Sequence, residues 1–351
     1  MAMTAEHAGI ELGLDSFGDL TSNADGSRRS SAEVIRDHIE HARIADAAGV
    51  DAISFGEHHR DDFAISAPDM VLAGASGVTE RIKLGTAVTV LSSDDPIRVI
   101  ERFNTLDAMS NGRAEITVGR GSFTESFPLF GFKLADYEML FEEKFDMFAK
   151  LLDRPETFSW QGTHRAPVQD GVIMPKSEQR LGAWVGVGGS PQSVVRSVTH
   201  RVPMMLAIIG GSAERFMPFV GLYRKAQEEI GVPAMPLGVH SPGHIAETDA
   251  EAREQVRDSW IENRNRIGAE RGWAQARPEE FDGEVEHGAL YVGSPETVAT
   301  KIADTVLKLG LDRFDLKYSN GPVQDEHLRR SVELYGTEVI PRVRELVAKS
   351  R

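Results

Sequence analysis

Cysteine is absent from the 351 residues. That excludes disulfide frameworks, thiolate zinc sites, iron–sulfur clusters and cysteine nucleophiles together. No apolar run approaches the ~18 residues of a membrane-spanning helix. The start, Met1 to Ile10, is mixed and polar rather than basic and then apolar, so no secretory leader is read there and a cytoplasmic protein is expected. Positive charge is in short supply: 39 basic residues stand against 54 acidic ones, for a net charge of −15. A surface of that sign repels phosphate backbones, which argues against a nucleic-acid partner. An anionic ligand would need a locally built site. Tandem repeats and low-complexity tracts are lacking as well.

What remains is an ordinary globular composition, 41% hydrophobic and 26% charged, long enough to bury a large core unaided. Strand-like and helix-like stretches alternate. Ile10–Phe17, Asp51–Phe55, Ile82–Leu91, Ala114–Gly119, Trp184–Val187, Met204–Ile209, Leu237–Ala246 and Arg313–Tyr318 read as strands. Helices are expected between them, opened by Ser31, Pro68, Pro96, Pro191, Ser212, Asp249 and Ser294-Pro295, with a last one over Asp325–Ala348. About eight strands in βαβ rhythm fit either an open doubly wound sheet or a barrel. Nothing reads as a separate second domain, so the expected fold is α/β, a single (β/α)8 TIM barrel over residues 1–351 with insertions. Two stretches break the rhythm. Residues 155–180, rich in Pro and Gly, are expected to be an insertion or lid, and 264–288 a mobile loop.

In a βα barrel the chemistry sits at the carboxyl ends of the strands. After the second strand comes Glu57-His58-His59-Arg60-Asp61-Asp62, where an imidazole can donate or accept a proton near neutral pH. Metal ligation by this cluster is disfavoured, because adjacent histidines point apart. Arg120 stands between Gly119 and Gly121, a planar fork of donors on an open backbone. Gly186-Val187-Gly188-Gly189-Ser190-Pro191-Gln192-Ser193 runs straight into a helix N-terminus, where free N–H groups and the dipole favour an anion such as phosphate. The acidic ribose partner of a dinucleotide fingerprint is absent. His240 and His244 lie at even spacing in an apolar strand and read as packing residues. The residues alone give a barrel that binds a phosphorylated small molecule, with a histidine cluster facing it.

Three motifs in order carry a resemblance: Phe55-Gly56-Glu57-His58-His59, then Ile82 to Val90, then Asn111 to Ser122. With the Gly186–Ser190 turn and the Val292–Val298 helix start, the chain resembles the bacterial luciferase-like flavin-dependent monooxygenases over residues 9–345. The resemblance implies reduced FMN as the cofactor and flavin hydroperoxide chemistry with O2 on a small organic substrate. His58 matches the active-site histidine. Ala87 and Val88 match a non-prolyl cis peptide beneath the isoalloxazine, and Gly119 a residue beside the ring. Arg120, Ser190 and Ser193 match phosphate-binding positions, with Gly188 and Gly189 as backbone around them. No metal is implied. A separate flavin reductase and a homodimer, built on the helices after the first three strands, go with the family. The chain departs from it where a further phosphate-binding arginine is expected: Asp136-Tyr137-Glu138 stands there, leaving Tyr137 or Arg196 to compensate. Phe17, Phe123 and the 155–180 segment are expected to hold the substrate. Two other readings stay open, a deazaflavin (F420)-dependent oxidoreductase of the same superfamily and a non-catalytic flavin-binding protein.

Overall fold

A computed structural model describes residues 9–121 and 123–350. The residues before Gly9, on which the leader reading partly rests, and Ser122, the last residue of the third motif, lie outside the described residues.

The chain runs β1 (Glu11–Ser16), α1 (Ser31–Ala48), β2 (Ala52–Phe55), α2 (Pro68–Ser76), β3 (Lys83–Thr86), β4 (Thr89–Val90), α3 (Pro96–Ser110) and β5 (Glu115–Gly119). A short α4 (Ser126–Leu129), the longer α5 (Tyr137–Leu152), β6 (Phe158–Trp160) and β7 (Val168–Gly171) follow. The second half holds β8 (Gly182–Val187), α6 (Pro191–Thr199), β9 (Met204–Ala207), α7 (Met217–Ile230), β10 (Leu237–Ile245), α8 (Asp249–Arg271) and α9 (Pro278–His287). It closes with β11 (Tyr291–Gly293), α10 (Pro295–Leu309), β12 (Arg313–Lys317), α11 (Asp325–Leu334) and α12 (Ile340–Ser350), the last two joined by a π turn.

Strand order is β3-β2-β1-β12-β10-β9-β8-β5-β4, with β11 beside β10, and neighbours in this sheet pair in parallel. Leu84 in β3 bridges to Ala114 at the start of β5, which closes the ring. The fold is the (β/α)8 barrel. The single apolar run at 82–91 is two strands, β3 and β4, and the Ala87–Val88 peptide between them is cis.

Alternation along the strands sorts side chains to two faces. Leu12, Leu14, Ile116, Val118, Phe314 and Leu316 are buried on the face turned to the helices. The opposite parity carries Gly13, Asp15, Glu115, Thr117, Arg313, Asp315 and Lys317 inward. Arg313 is fully buried. It donates to Asp315 Oδ1 at 2.8 Å, pairs with Glu115 and lies 3.0 Å from Glu11. A buried cation must be paired in this way. Small residues make room for it: a Cβ on Gly85 would stand 3.0 Å from Glu115 Cγ, and one on Gly13 would overlap Asp315 Oδ1.

Two segments read as irregular contain regular structure. Residues 264–288 are mostly helical, comprising the end of α8, a turn and α9. Helix α8 buries few side chains, so it lacks the apolar stripe that marks a helix in sequence. It is capped by Thr248 and Gly272, and Trp260 meets Phe281 of α9 edge to face at 5.6 Å. Residues 155–180 form the antiparallel hairpin β6–β7, tied to α5 by Glu143, which accepts from Thr163, His164 and Arg165 backbone N–H groups. Asn104 Nδ2 donates to Pro175 O at 2.6 Å.

The Gly13→Ala substitution forces Asp315 off Arg313. It is expected to lower unfolding free energy by about 1–3 kcal/mol, read as a lower urea midpoint at unchanged slope; an unchanged midpoint would show that the ion cluster can shift.

Candidate active site

A cleft of about 1180 Å³, counting its open mouth, lies over the carboxyl ends of the barrel strands. Phe17, His58, Ala87, Val88, Gly119, Arg120, Gly188 and His240 are among its lining residues. Of the expected residues, His58, Ala87, Val88, Gly119, Arg120, Gly188 and Phe17 come from several strand ends to line one cavity, whereas Gly189, Ser190, Ser193 and Phe123 are not among its lining residues. No residue of 155–180 is among those lining the cleft, so that hairpin does not hold its contents.

One wall is formed by Val88 packed on bare glycine backbone. A Cβ on Gly119 would stand 2.7 Å from Val88 Cγ2, and one on Gly186 would stand 3.2 Å from Val88 Cγ1. The missing Cβ atoms make room for the Val88 side chain, which lines the cleft. The wall is held by Glu57. Its Oε2 accepts from Val90 N at 2.9 Å and its Oε1 contacts His59 Nε2 at 2.9 Å. His59 therefore serves the frame, while His58 faces the cavity.

His58 is buried in an aromatic cage. Phe17, Phe63 and Phe123 have ring centroids at 4.9, 4.4 and 5.1 Å from it. Burial pushes its pKa down to about 3, so the ring is neutral at physiological pH, with one nitrogen to donate and one to accept. Phe123 also carries Arg60 over its face at 4.3 Å.

Past Gly188, at the edge of the cleft, the chain turns into the N-terminus of α6, where free N–H groups favour an anion. Ser190 caps α6, its Oγ accepting from Ser193 N at 3.2 Å and meeting Ser193 Oγ at 2.8 Å. Gly189 takes φ +101°, a backbone region that glycine enters freely. Arg196 Nη1 donates to Ser193 Oγ at 3.3 Å and so brings positive charge to the turn. Arg120 stands beside Tyr137, 5.4 Å from its ring, and pairs with the exposed Glu138. Tyr137 donates to Gly121 O at 3.0 Å; the residue in the departing position is thus occupied with the backbone.

Sequence reasoning missed the inner end. Asp15 and Asp315 line the cleft with His240. His240 Nδ1 lies 2.5 Å from Asp15 Oδ2, while His244 turns away to Gln255 at 2.7 Å. The two histidines do not act as a pair. Polar residues on the inward parity of β1, β10 and β12 were the available signal.

A luciferase-like monooxygenase family model matches residues 16–313. The chain belongs to that family. Among luciferase-like relatives, an alkanal monooxygenase alpha chain of Photorhabdus luminescens is 31% identical over 217 residues, 61% of this chain and 59% of that one. Limonene 1,2-monooxygenase of Rhodococcus erythropolis is 26% identical over 276 residues, 76% of this chain and 71% of that one. Monooxygenase RslO1 of Streptomyces bottropensis superposes with a TM-score of 0.81 at 21% identity, covering 95% of this chain and 99% of its own. The oxygenating constituent of 3,6-diketocamphane monooxygenase of Pseudomonas putida, solved with FMN, superposes at 0.77 and 19%, with 95% and 98% covered. A coenzyme F420-dependent tetrahydromethanopterin reductase of Methanopyrus kandleri shares the fold at 0.70 and 17%, with 96% and 100% covered.

Three enclosed imidazoles give this luciferase-like chain a definite response to acid. Burial holds His38 and His58 at about 3 and His244 at about 4, below the ordinary 6.5. Between those values the unfolded chain binds protons that the folded one refuses, so stability is full above about pH 6.5 and is lost as pH falls. Burial of Asp315, raised to about 7, acts in the opposite sense but is one group against three. Urea unfolding is expected to show a loss on the order of 2 kcal/mol between pH 7 and pH 5; a midpoint that rises on acidification would contradict this account.

Proposed function

We propose that this protein is an FMN-dependent monooxygenase that uses reduced flavin and O2 on a small, largely apolar organic substrate. The observation that carries the reading is one cavity lined by Val88, bare glycine backbone, Arg120 and a neutral imidazole in an aromatic cage, with the capped N-terminus of α6 just past Gly188.

The residues present fit FMN. Arg120, Ser190, Ser193 and the N–H groups of Gly188 and Gly189 would hold the phosphate, with Arg196 adding charge through Ser193. Glu138 is exposed and free to swing away from Arg120 when an anion arrives. Ala87, Val88 and Gly119 would border the ring. Bound reduced flavin supplies the two electrons and the site of oxygen activation that the protein's own side chains lack. His58, being neutral, would hydrogen-bond a reacting group in the cleft and move a proton to or from it. Phe17, Phe63 and Phe123 keep bulk water away from that imidazole. Reduced FMN is supplied by a separate reductase. The exposed Met70 and Met109, on α2 and α3, offer apolar surface to a second copy of the chain.

The test is an anaerobic titration with reduced FMN, repeated with the reduced deazaflavin, followed by admission of oxygen in the presence of a substrate panel. Tight FMN binding and oxygen-dependent product are expected. Arg120→Met should weaken FMN by about tenfold or more, the worth of one charged hydrogen-bonding group. His58→Asn should leave FMN affinity nearly intact and slow product formation by about a hundredfold. Binding of the deazaflavin alone would favour the reductase reading. Tight FMN binding with no product from any substrate would favour a binding protein.

A further inference from the structure

The inner end of the cleft holds a second imidazole that the flavin reading leaves unused. His240 lies on β10 at the register position between Ala207 of β9 and Asp315 of β12. Its Nδ1 is held by Asp15 Oδ2 at 2.5 Å. Its ring is stacked against Phe17 at 5.7 Å, and Phe17 meets His58 edge-on from its own position in the cleft. Nε2 makes no hydrogen bond to the described residues, and His240 lines the cavity. Asp15 is nearly fully buried, and its second oxygen, Oδ1, meets no donor. The carboxylate is thus committed to the imidazole and to whatever enters beside it.

This arrangement fixes the proton inventory. A neutral ring with its proton on Nδ1, directed at a carboxylate, presents Nε2 as a lone-pair acceptor. Only a ligand with an O–H or N–H can satisfy it. When the ring takes a proton, the cation that forms lies against Asp15, which stabilises it. His58 has no such partner: its cage is aromatic, and burial keeps it neutral. The two rings that flank Phe17 therefore differ in kind. The anion cradle at Arg120 and Ser190 belongs to strand ends β5 and β8, whereas His240 and Asp15 belong to β10 and β1. The space between Phe17, Ile209 and His240 is left for the substrate.

We propose that the substrate carries an acidic hydroxyl, that of a phenol or enol, and that His240 Nε2 binds this hydroxyl and accepts its proton, with Asp15 as the positioning residue. The O–H bond breaks, its electron pair stays on the substrate oxygen, and the proton moves to Nε2. Total charge is unchanged. The resulting oxyanion makes the substrate more electron-rich toward oxygen insertion. This inference rests on the flavin reading above only for the fate of the ionised substrate. The binding and ionisation step stands by itself.

The test uses 4-nitrophenol, whose neutral and ionised forms differ in visible absorption, added to the full-length protein at a pH below the probe's own ionisation. The bound probe is expected to show the phenolate spectrum. His240→Gln should reduce the ionised fraction by about tenfold or more, the value of one charge-assisted hydrogen bond. Asp15→Asn should bind the probe yet ionise it less, a change that mere loss of packing would not produce. FMN affinity, read by flavin fluorescence in the same preparations, should be unchanged in His240→Gln and reports that the variant is folded. Failure of the wild type to bind FMN would overturn the flavin reading while leaving this measurement valid. Normal FMN binding with a probe that stays neutral, a probe that does not bind, or a phenolate spectrum that survives in His240→Gln would overturn the inference. Should His240→Gln fail to fold, Asp15→Asn decides: full ionisation there overturns it.

Discussion

Arg313 is the charge around which the barrel is assembled. A guanidinium sealed from water is tolerable only when carboxylates and hydrogen bonds surround it, and Glu115, Asp315 and Glu11 do so from β5, β12 and β1. Three strands that are not all sheet neighbours are thereby tied through the interior as well as through their backbones. The cluster leaves no room for a side chain at position 13, where a Cβ would overlap Asp315 Oδ1, and little at position 85, where one would crowd Ser54 Oγ and Glu115. The ion cluster also sets the floor of the cavity. Asp315 holds Arg313 with one oxygen and borders the cleft beside Asp15 and His240.

From that floor upward the cavity changes character along its length. Asp15 and Asp315 supply acceptors, Phe17 and His58 an aromatic stretch, and Arg120 and Gly188 border the cavity toward the Ser190 cap, which with Ser193 and Arg196 is not among its lining residues. An acidic protein gains an anion site only through such local construction, because its net charge of −15 opposes any long-range attraction. Glu138 and Glu142, paired with Arg120 and Arg196, are exposed enough to yield to a ligand.

Much of the architecture was readable in the chain. Apolar runs bounded by glycine and proline located the strands, and the helix starts read at Ser31, Pro96 and Pro191 are those that Ser30, Asp95 and Ser190 cap in the structure. The surface helix α8 was read from its start at Asp249, but not its last turns or α9, because a helix that buries only Ala252, Val256 and Gly268 leaves no periodic stripe to follow. The hairpin at 155–180 was recognised as an excursion but misplaced. Its docking on Glu143 and Asn104 is a long-range contact that no local pattern announces. His59 was read as part of a reactive cluster, yet its bond to Glu57 makes it a strut.

The sequence by itself determined the fold class, the family and the strand ends that carry His58, Arg120 and the Ser190 turn. Those depend on local periodicity, on backbone freedom at glycine and on motif order. Only the tertiary structure decided that His240 faces Asp15 rather than the core, that His244 does not join it, and that His58 is enclosed by three phenylalanines. Side-chain direction inside a barrel depends on which residues of distant strands share a layer. Glu115 and Arg313, 198 positions apart in the chain, become neighbours only when the ring of strands closes.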